Sequence, residues 1–201
     1  MTEPPDGADT NPAVKWCVFG DVRPAQPLTR QWPVGYNRNE ENGAKLAGMK
    51  VLIHCDGACV GNPGPAGAGV VITDSDGNVV RRVKSFLGKA TNNVAEYCAL
   101  IIGLREAKRL GATEVICWTD SELLERQLNG TYKIKSARLR ALSLEAMQLA
   151  RGFSRFSLRK VEREKNFEAD KLAKKVIKET LARTDKGKRK TKATKTGQPS
   201  E

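Results

Sequence analysis

Apolar and polar positions alternate with different periods along this chain, and the periods predict its elements. Three short runs rich in valine and isoleucine come first, at about residues 50–56, 67–73 and 79–87. The segment 74–78 between the second and third runs reads Asp-Ser-Asp-Gly-Asn. Because Asp-Gly and Gly-Asn accept positive φ, this segment predicts a hairpin, and the chain opens with three antiparallel strands.

Helical spacing follows the third strand. Thr91-Asn-Asn predicts the start of a helix that runs to about Leu110 and is ended by Gly111. The last predicted helix has apolar residues at i, i+3, i+4, i+7 and i+8, which is the stripe of a helix packed on a core. The later predicted elements are a strand at 114–120, a short helix at 121–128, a helix at 136–152, an edge strand at 153–161 and a helix at 167–181.

The distribution of proline and of charge divides the chain into three parts. Six of the nine prolines fall in the first 48 residues, where no helical or strand period is sustained. Lysine and arginine dominate after residue 181, with almost no apolar residues. We therefore expect a largely irregular extension at 1–48, a folded domain at 49–181 and a disordered basic tail at 182–201.

Composition limits the class of partner. The chain has 35 lysines and arginines against 23 acidic residues, a net charge of +12, which favours a polyanion such as nucleic acid. Neither a long apolar run nor a signal-peptide pattern is present, so no membrane partner is expected. The five cysteines contain no CxxC pair and fit a reducing compartment. We expect a cytoplasmic monomer.

Four carboxylates fall at matching places in the predicted elements. Asp56 and Asp120 end the first and fourth strands, and Glu96 and Asp170 lie in the first turns of two helices. Strands joined by a crossover helix tend to be parallel neighbours, so both strand acids emerge at the same end of the sheet. Gathered carboxylates need neutralising cations, and oxygen ligands suit Mg²⁺ or Mn²⁺. Two such ions can activate water and stabilise the leaving oxygen of a phosphodiester, so a basic chain with this cluster predicts a nuclease.

Each acid also has a purely structural interpretation. Asp56 can open a turn, Asp120 can cap the next helix, and Glu96 and Asp170 can complement helix dipoles. The other acids of the domain that fall in turns or on polar faces are expected to be solvated; they are Asp74, Asp76, Glu106, Glu122, Glu125 and Glu145.

Four motifs follow one another in a fixed order. They are Asp56-Gly-Ala-Cys with Gly61-Asn-Pro-Gly-Pro, Thr91-Asn-Asn-Val-Ala-Glu96, Thr119-Asp120-Ser121, and Asn166-Phe-Glu-Ala-Asp170-Lys-Leu-Ala. Together they resemble the successive motifs of type 1 ribonuclease H over about residues 50–179. The resemblance implies an α/β fold with a mixed five-stranded sheet and helices on both faces, with 49–181 as the catalytic domain. It also implies an endoribonuclease that uses two Mg²⁺ ions, or Mn²⁺, to cut the RNA strand of RNA–DNA hybrids and leaves 5′-phosphate and 3′-hydroxyl ends.

The resemblance also implies roles for single residues. Asp56 would bridge both metal ions, Asp170 would help hold the ion that activates water, and Glu96 and Asp120 would hold the ion on the leaving-group side. Positions that match nucleic-acid contacts of the family are Gly57, Ala58, Cys59, Asn62, Thr91, Asn92 and Asn93. The segment after the short helix mixes cations with an aromatic residue, as a DNA-strand contact or as a solvated basic loop; its residues are Tyr132, Lys133 and Lys135.

One departure concerns histidine. Many family members carry a histidine in a loop before the last aspartate, whereas the one histidine of this chain is His54 in the first strand. It is expected on the same face as Asp56, either supporting that acid or as a core histidine. Residues 161–170 resemble a shorter form of the loop that lacks the histidine, in which Arg163 or Glu164 could partly substitute.

The resulting hypothesis is a metal-dependent ribonuclease H that acts on RNA–DNA hybrids. Two alternatives stay open. One is a hybrid-binding module with weak or no catalysis, suggested by the missing loop histidine. The other is a nuclease of the same fold that also cuts double-stranded RNA, which the short loop makes plausible.

Overall fold

A computed structural model describes the backbone of residues 48–195 and the side chains of residues 48–184. The predicted irregular extension therefore lies outside the described residues except for position 48, as does the end of the predicted tail, 196–201. A short 3₁₀ turn, Arg163–Asn166, precedes the last helix. The elements in chain order are β1 Lys50–Cys59, β2 Gly64–Thr73, β3 Val79–Ala90, α1 Asn92–Leu110, β4 Glu114–Thr119, α2 Glu122–Leu128, α3 Ala137–Ala150, β5 Arg155–Lys160 and α4 Phe167–Lys195.

The five strands form one mixed sheet in the order β3-β2-β1-β4-β5. β1 pairs antiparallel with β2, and β2 pairs antiparallel with β3. β1 pairs in parallel with β4, and β4 with β5, so β5 is an edge strand. Helices α1 and α4 both pack against β1 and β2 from opposite faces of the sheet, and α3 packs against α1. The predicted fold class and the antiparallel opening of the sheet are confirmed.

Helix α1 is the centre of the core because it lies between the sheet and α3. Its buried side chains include Leu100, Ile101 and Leu104, each fully buried. The predicted ends of α1 are confirmed: Thr91 Oγ1 accepts from the Val94 amide at 3.4 Å, and Gly111 adopts φ 80° in the left-handed region. Both caps satisfy backbone groups that the helix leaves open.

The boundary of β1 differs from the prediction, which ended the strand at Asp56. The parallel ladder with β4 has its last pair at His54 and Trp118. The antiparallel ladder with β2 continues beyond it, through Asp56 to the pair of Cys59 and Ala66. Asp56 therefore lies within β1, just past the point where β4 leaves the sheet.

The last helix is longer than predicted. It was expected to end at residue 181 and to be followed by a disordered tail, whereas α4 continues to Lys195. Residues 182–195 contain alanine, lysine and arginine, which favour helix, and no proline. Within residues 48–195, no helix is both long and apolar enough to cross a membrane.

The prediction that Glu106 is solvated is wrong. The residue is only 4% exposed, because α1 is covered on more than one side. Glu106 forms ion pairs with Arg109 at 2.9 Å and with Arg81 of β3 at 3.8 Å. These cations compensate the buried charge, as a carboxylate in this position requires.

Candidate active site

Asp56 and Asp120 lie at the carboxyl ends of two neighbouring parallel strands. The last residue pair of the parallel β1–β4 ladder is His54 with Trp118. Asp56 follows His54 by two residues, and Asp120 follows Trp118 by two residues. Asp56 is 5% exposed, and its carboxyl group lies close enough to that of Asp120 for the charge of Asp120 to raise the pKa of Asp56, after burial as the larger cause. The structure thus places these two acids together, as parallel pairing of β1 and β4 predicts.

Asn166 links the ends of these two strands. Its Nδ2 donates to the carbonyl oxygen of Cys55 at 3.0 Å and to Asp120 Oδ1 at 2.7 Å. Asn166 is 1% exposed, and its Oδ1 has no hydrogen-bond partner in the described part of the chain. Because Cys55 directly precedes Asp56, this one amide fixes the backbone of β1 relative to the carboxylate that follows β4.

Glu96 reaches the site from α1 and contacts β1 directly. The Gly57 amide donates to Glu96 Oε2 at 3.2 Å, and Asn92 Nδ2 donates to Glu96 Oε1 at 3.3 Å. A Cβ atom at Gly57 would overlap the backbone of Ala95 and Glu96, so α1 comes this close only because position 57 has no side chain. The prediction placed Glu96 in the first turn; it lies in the second, because α1 begins at Asn92.

Asp170 enters from the first turn of α4, as predicted. α4 lies close against β2, where a Cβ atom at Gly69 would overlap the backbone of Ala169. Gly69 is the ladder partner of Asp56, so this close approach brings Asp170 beside Asp56. Both carboxylate oxygens of Asp170 contact Lys174 Nζ, at 2.7 and 2.8 Å.

Burial and mutual repulsion raise the pKa values of two of these acids. Burial first, and then the negative charges of Asp120 and Asp170, raise the pKa of Asp56 from 3.8 to about 7. Burial, followed by the charges of Asp56 and Asp120, raises the pKa of Glu96 well above its usual range. The fold therefore holds carboxylates closer together than their charges favour, and a bound cation would relieve that repulsion.

The chemistry of these donors fits a hard divalent cation, but the side chains do not form a finished coordination sphere. Among the described residues, no three His, Cys, Asp or Glu side chains are placed to hold one ion together. Three of the four carboxylates are instead bonded to donors of the protein: Asp120 to Asn166, Glu96 to the Gly57 amide, and Asp170 to Lys174. Carboxylate oxygens are the ligands that Mg²⁺ and Mn²⁺ prefer, so an ion would exchange with these donors.

Seven of the predicted nucleic-acid contacts lie along one edge beside the acids. The turn before β2 is joined to the start of α1 by a hydrogen bond. The backbone N–H of Asn92 donates to Asn62 Oδ1 at 3.2 Å. The thiol of Cys59 is 3.9 Å from Asn92 Oδ1. The residues of this edge are Gly57, Ala58, Cys59, Asn62, Thr91, Asn92 and Asn93.

The three predicted DNA-strand contacts lie in the segment between α2 and α3. Tyr132 is 43% exposed, and the guanidinium of Arg126 lies 5.1 Å from its ring centroid. Lys133 and Lys135 are exposed. Within residues 48–184, no hydrogen bond or ion pair joins these side chains to the four acids.

The residues considered as substitutes for a loop histidine do not reach the acids. Arg163 and Glu164 are exposed in the 3₁₀ turn before α4, and neither bonds to any of the four acids within the described residues. His54 is partly buried on β1. Burial lowers the pKa of His54, and the charge of Glu168 opposes that shift.

Sequence reasoning assigned no role to three residues that the structure brings into the site or its surroundings. Asn166 was only part of a motif, and a pattern of residue types cannot show that an amide bridges two strands. Lys174 stands four residues after Asp170, and this helical spacing was an available signal for the ion pair. Arg126, which packs on Tyr132, lies before the predicted basic segment and was not considered.

The fold and the arrangement of its acids define an RNase H-like domain. A model of the reverse transcriptase-like family matches residues 54–176, and the chain belongs to this family. The bifunctional protein Rv2228c of Mycobacterium tuberculosis is 46% identical over 126 residues, which cover 62% of this chain and 35% of that protein. The chain thus matches about a third of the length of this relative.

Two further comparisons concern proteins named as ribonucleases H. Ribonuclease HI of Halobacterium salinarum is 40% identical over 126 residues, covering 63% of this chain and 63% of that protein. The protein in the crystal structure of LC11-RNase H1 in complex with an RNA/DNA hybrid shares 38% sequence identity with this chain. The two structures match with a TM-score of 0.63, and the match covers 65% of this chain and 99% of LC11-RNase H1. The chain is therefore a homologue of ribonuclease H proteins.

Proposed function

We propose that this chain is a metal-dependent endoribonuclease that hydrolyses the RNA strand of RNA–DNA hybrids and leaves 5′-phosphate and 3′-hydroxyl ends. The observation that carries the proposal is the gathering of Asp56 of β1, Glu96 of α1, Asp120 after β4 and Asp170 of α4 at one end of the parallel strands. Burial first, and then the neighbouring acids, raise the pKa of Asp56, and perturbed carboxylates of this kind are typical of functional sites. The homology to ribonucleases H supports the same activity.

The four acids are proposed to hold two divalent ions, Mg²⁺ or Mn²⁺. Such ions supply activation of water and stabilisation of charge on the phosphodiester oxygens. The protein supplies placement: Asn166 orients Asp120, the Gly57 amide orients Glu96, and the packing of α4 on β2 brings in Asp170. Glu96 and Asp170 are carried by helices, and Asp120 directly follows β4, so each carboxylate is held on or beside a regular element, as a preorganised site requires.

Recognition of the hybrid is assigned to the edge formed by the end of β1, the turn before β2 and the start of α1. Backbone amides and short side chains here leave room for close approach by a nucleic-acid strand. Only RNA offers a 2′-hydroxyl, so discrimination against DNA has to be made at this group. The basic segment with Tyr132 is proposed to contact the other strand, and the loop at 161–170 is proposed to be the short form without a histidine.

A panel of labelled duplexes tests this activity. The full chain is incubated with Mg²⁺ or Mn²⁺ and with an RNA–DNA hybrid labelled on either strand, double-stranded RNA or double-stranded DNA. We expect cleavage of the RNA strand of the hybrid alone. Cleavage of double-stranded RNA at a comparable rate would overturn the hybrid specificity, and binding without cleavage in either metal would leave only a hybrid-binding module.

A further inference from the structure

We propose that Lys174 is an internal counter-ion that holds Asp170 when no metal is bound, and that a divalent ion has to displace it. Lys174 would then set the apparent affinity of the acid centre for metal. This inference rests on the proposed function, because it concerns the ions that the four acids are proposed to hold.

The contact between the two side chains uses both oxygens of the acid. Lys174 Nζ lies 2.7 Å from Asp170 Oδ1 and 2.8 Å from Oδ2. The pair has i, i+4 spacing on α4 with the acid nearer the N-terminus, which is the favourable orientation on a helix. The Asp170 side chain is 24% exposed and that of Lys174 is 57% exposed. The ammonium therefore covers the acid from the solvent side and is itself free to leave.

The same ammonium acts on more than one acid of the centre. Its positive charge favours the ionised form of Asp56, opposing the burial and the negative charges that raise the pKa of that acid. A lysine in this position partly replaces the neutralisation that a metal ion would provide.

A displaced Lys174 has space to occupy. The residue lines a groove of about 460 Å³ between the end of β1 and the outer part of α4, whose other lining residues include Val60, Ile177 and Lys178. The lysine stem can rest on this apolar surface while the ammonium stays in water. Release from Asp170 therefore leaves no buried unpaired charge.

Lys178 provides a matched control one turn further along α4. It lines the same groove and is also exposed, but it makes no ion pair within residues 48–184. Changing Lys178 removes one positive charge from the same surface without touching Asp170. A comparison of the two lysines thus separates direct competition from a general change in net charge.

The test is a calorimetric titration of Mn²⁺ into the metal-free full chain. We expect Lys174→Gln to bind Mn²⁺ roughly two- to tenfold more tightly than the wild type, because an exposed ion pair and a nearby repelling charge are both lost. Lys178→Gln should stay within about twofold of the wild type, since its charge is more distant and screened. Lys174→Arg keeps the competing cation and should bind no more tightly than the wild type.

The outcomes separate this inference from the function on which it rests. If the wild type binds Mn²⁺ and cuts the hybrid but Lys174→Gln binds the ion equally or more weakly, this inference is overturned and the function stands. If the wild type binds no Mn²⁺, both are overturned. Thermal unfolding without metal should give similar midpoints for all variants, because the pair is on the surface.

Discussion

At the scale of single residues, Asn166 is the side chain that holds the two strand acids in register. Its two N–H groups are both used, one by the Cys55 carbonyl and one by Asp120. The residue is almost fully buried, so a replacement cannot recruit water freely to the same positions. Removing a buried donor leaves its acceptors unsatisfied, which costs more than the lost hydrogen bond alone.

We therefore expect Asn166→Leu to lower both stability and turnover. The free energy of unfolding should fall by about 1–3 kcal/mol, because the Cys55 carbonyl and Asp120 lose their donor. The value of kcat should fall by more than about tenfold with a smaller change in KM for the hybrid, since Asp120 is misplaced while the binding edge is intact. Chemical denaturation and steady-state kinetics measure these quantities.

Asn129→Ala is the control for that substitution. Asn129 lies at the exposed end of α2, where its side-chain amide donates to Glu125. Its loss should change stability by no more than about 0.5 kcal/mol and leave kcat unaltered. Equal kinetic effects of the two substitutions would contradict the positioning role of Asn166.

At the scale of elements, both helices that carry acids lie against glycines of the sheet. α1 packs on Gly57, and α4 packs on Gly69. The two glycines face opposite helices because neighbouring ladder positions alternate between the faces of the sheet. The close approach brings Glu96 and Asp170 to the buried carboxylate of Asp56 from both sides. The glycines thus set the distance between layers at the site.

Gly57→Ala should disrupt the site through this spacing. The added Cβ would overlap the backbone of Ala95 and Glu96, so α1 has to shift away and the Gly57–Glu96 hydrogen bond is lost. We expect a loss of about 1–3 kcal/mol in stability, typical of overpacking, together with a large loss of activity. Thermal unfolding and the hybrid cleavage rate measure the two effects.

Gly77→Ala separates stability from activity in that experiment. Gly77 lies in the hairpin between β2 and β3 with φ 86°, and the space that an added Cβ atom would occupy is open. The substitution should cost about 1 kcal/mol through left-handed strain and leave the cleavage rate of the folded protein unchanged. An inactive Gly77→Ala, or a fully active Gly57→Ala, would contradict the role assigned to layer spacing.

At the scale of the whole molecule, a strongly basic chain encloses a group of acids that repel one another. The folded protein binds a proton at Asp56 more tightly than the unfolded chain does, because burial and neighbouring acids raise its pKa from 3.8 to about 7. Its contribution to stability is thus fully present below about pH 4 and is lost as pH rises through about 7. Without metal, the fold should therefore be weaker at alkaline pH.

The comparison of wild type with Asp56→Asn measures that effect. Between pH 5 and pH 8, the metal-free wild type should lose about 2.5 kcal/mol of unfolding free energy relative to the variant, which cannot ionise at this position. Saturating Mg²⁺ should reduce the difference, because an ion stabilises the ionised carboxylates. Parallel pH profiles of the two proteins without metal would show that Asp56 is not repelled as described.

Much of this architecture could be predicted from the chain. The caps Thr91 and Gly111 fixed both ends of α1, since each has a local chemical cause. The hairpin at 74–78 and the stripe of α4 indicated the antiparallel opening of the sheet and its second helical layer. The proximity of Asp56 and Asp120 was predicted from the crossover helix alone, because such a connection makes the two strands parallel neighbours.

The parts that escaped prediction depend on contacts between distant segments. Glu106 was expected to be solvated, because the sequence does not show that Arg81 of β3 covers it. Asn166 bridges two strands that are remote from it in sequence. The extent of β1 beyond Asp56 depends on β2, whose pairing continues where β4 stops. Local patterns contain no information about such tertiary partners.

We propose above that the four acids form a catalytic centre for cutting RNA in a hybrid. The most direct measurement is single-turnover cleavage of an RNA-labelled hybrid by wild type and Asp56→Asn in Mg²⁺, with hybrid binding measured on the same samples. We expect at least about a thousandfold loss of cleavage in the variant, because several kcal/mol of transition-state stabilisation depend on this acid, with binding retained. Cleavage by Asp56→Asn within about tenfold of the wild type would contradict the claim.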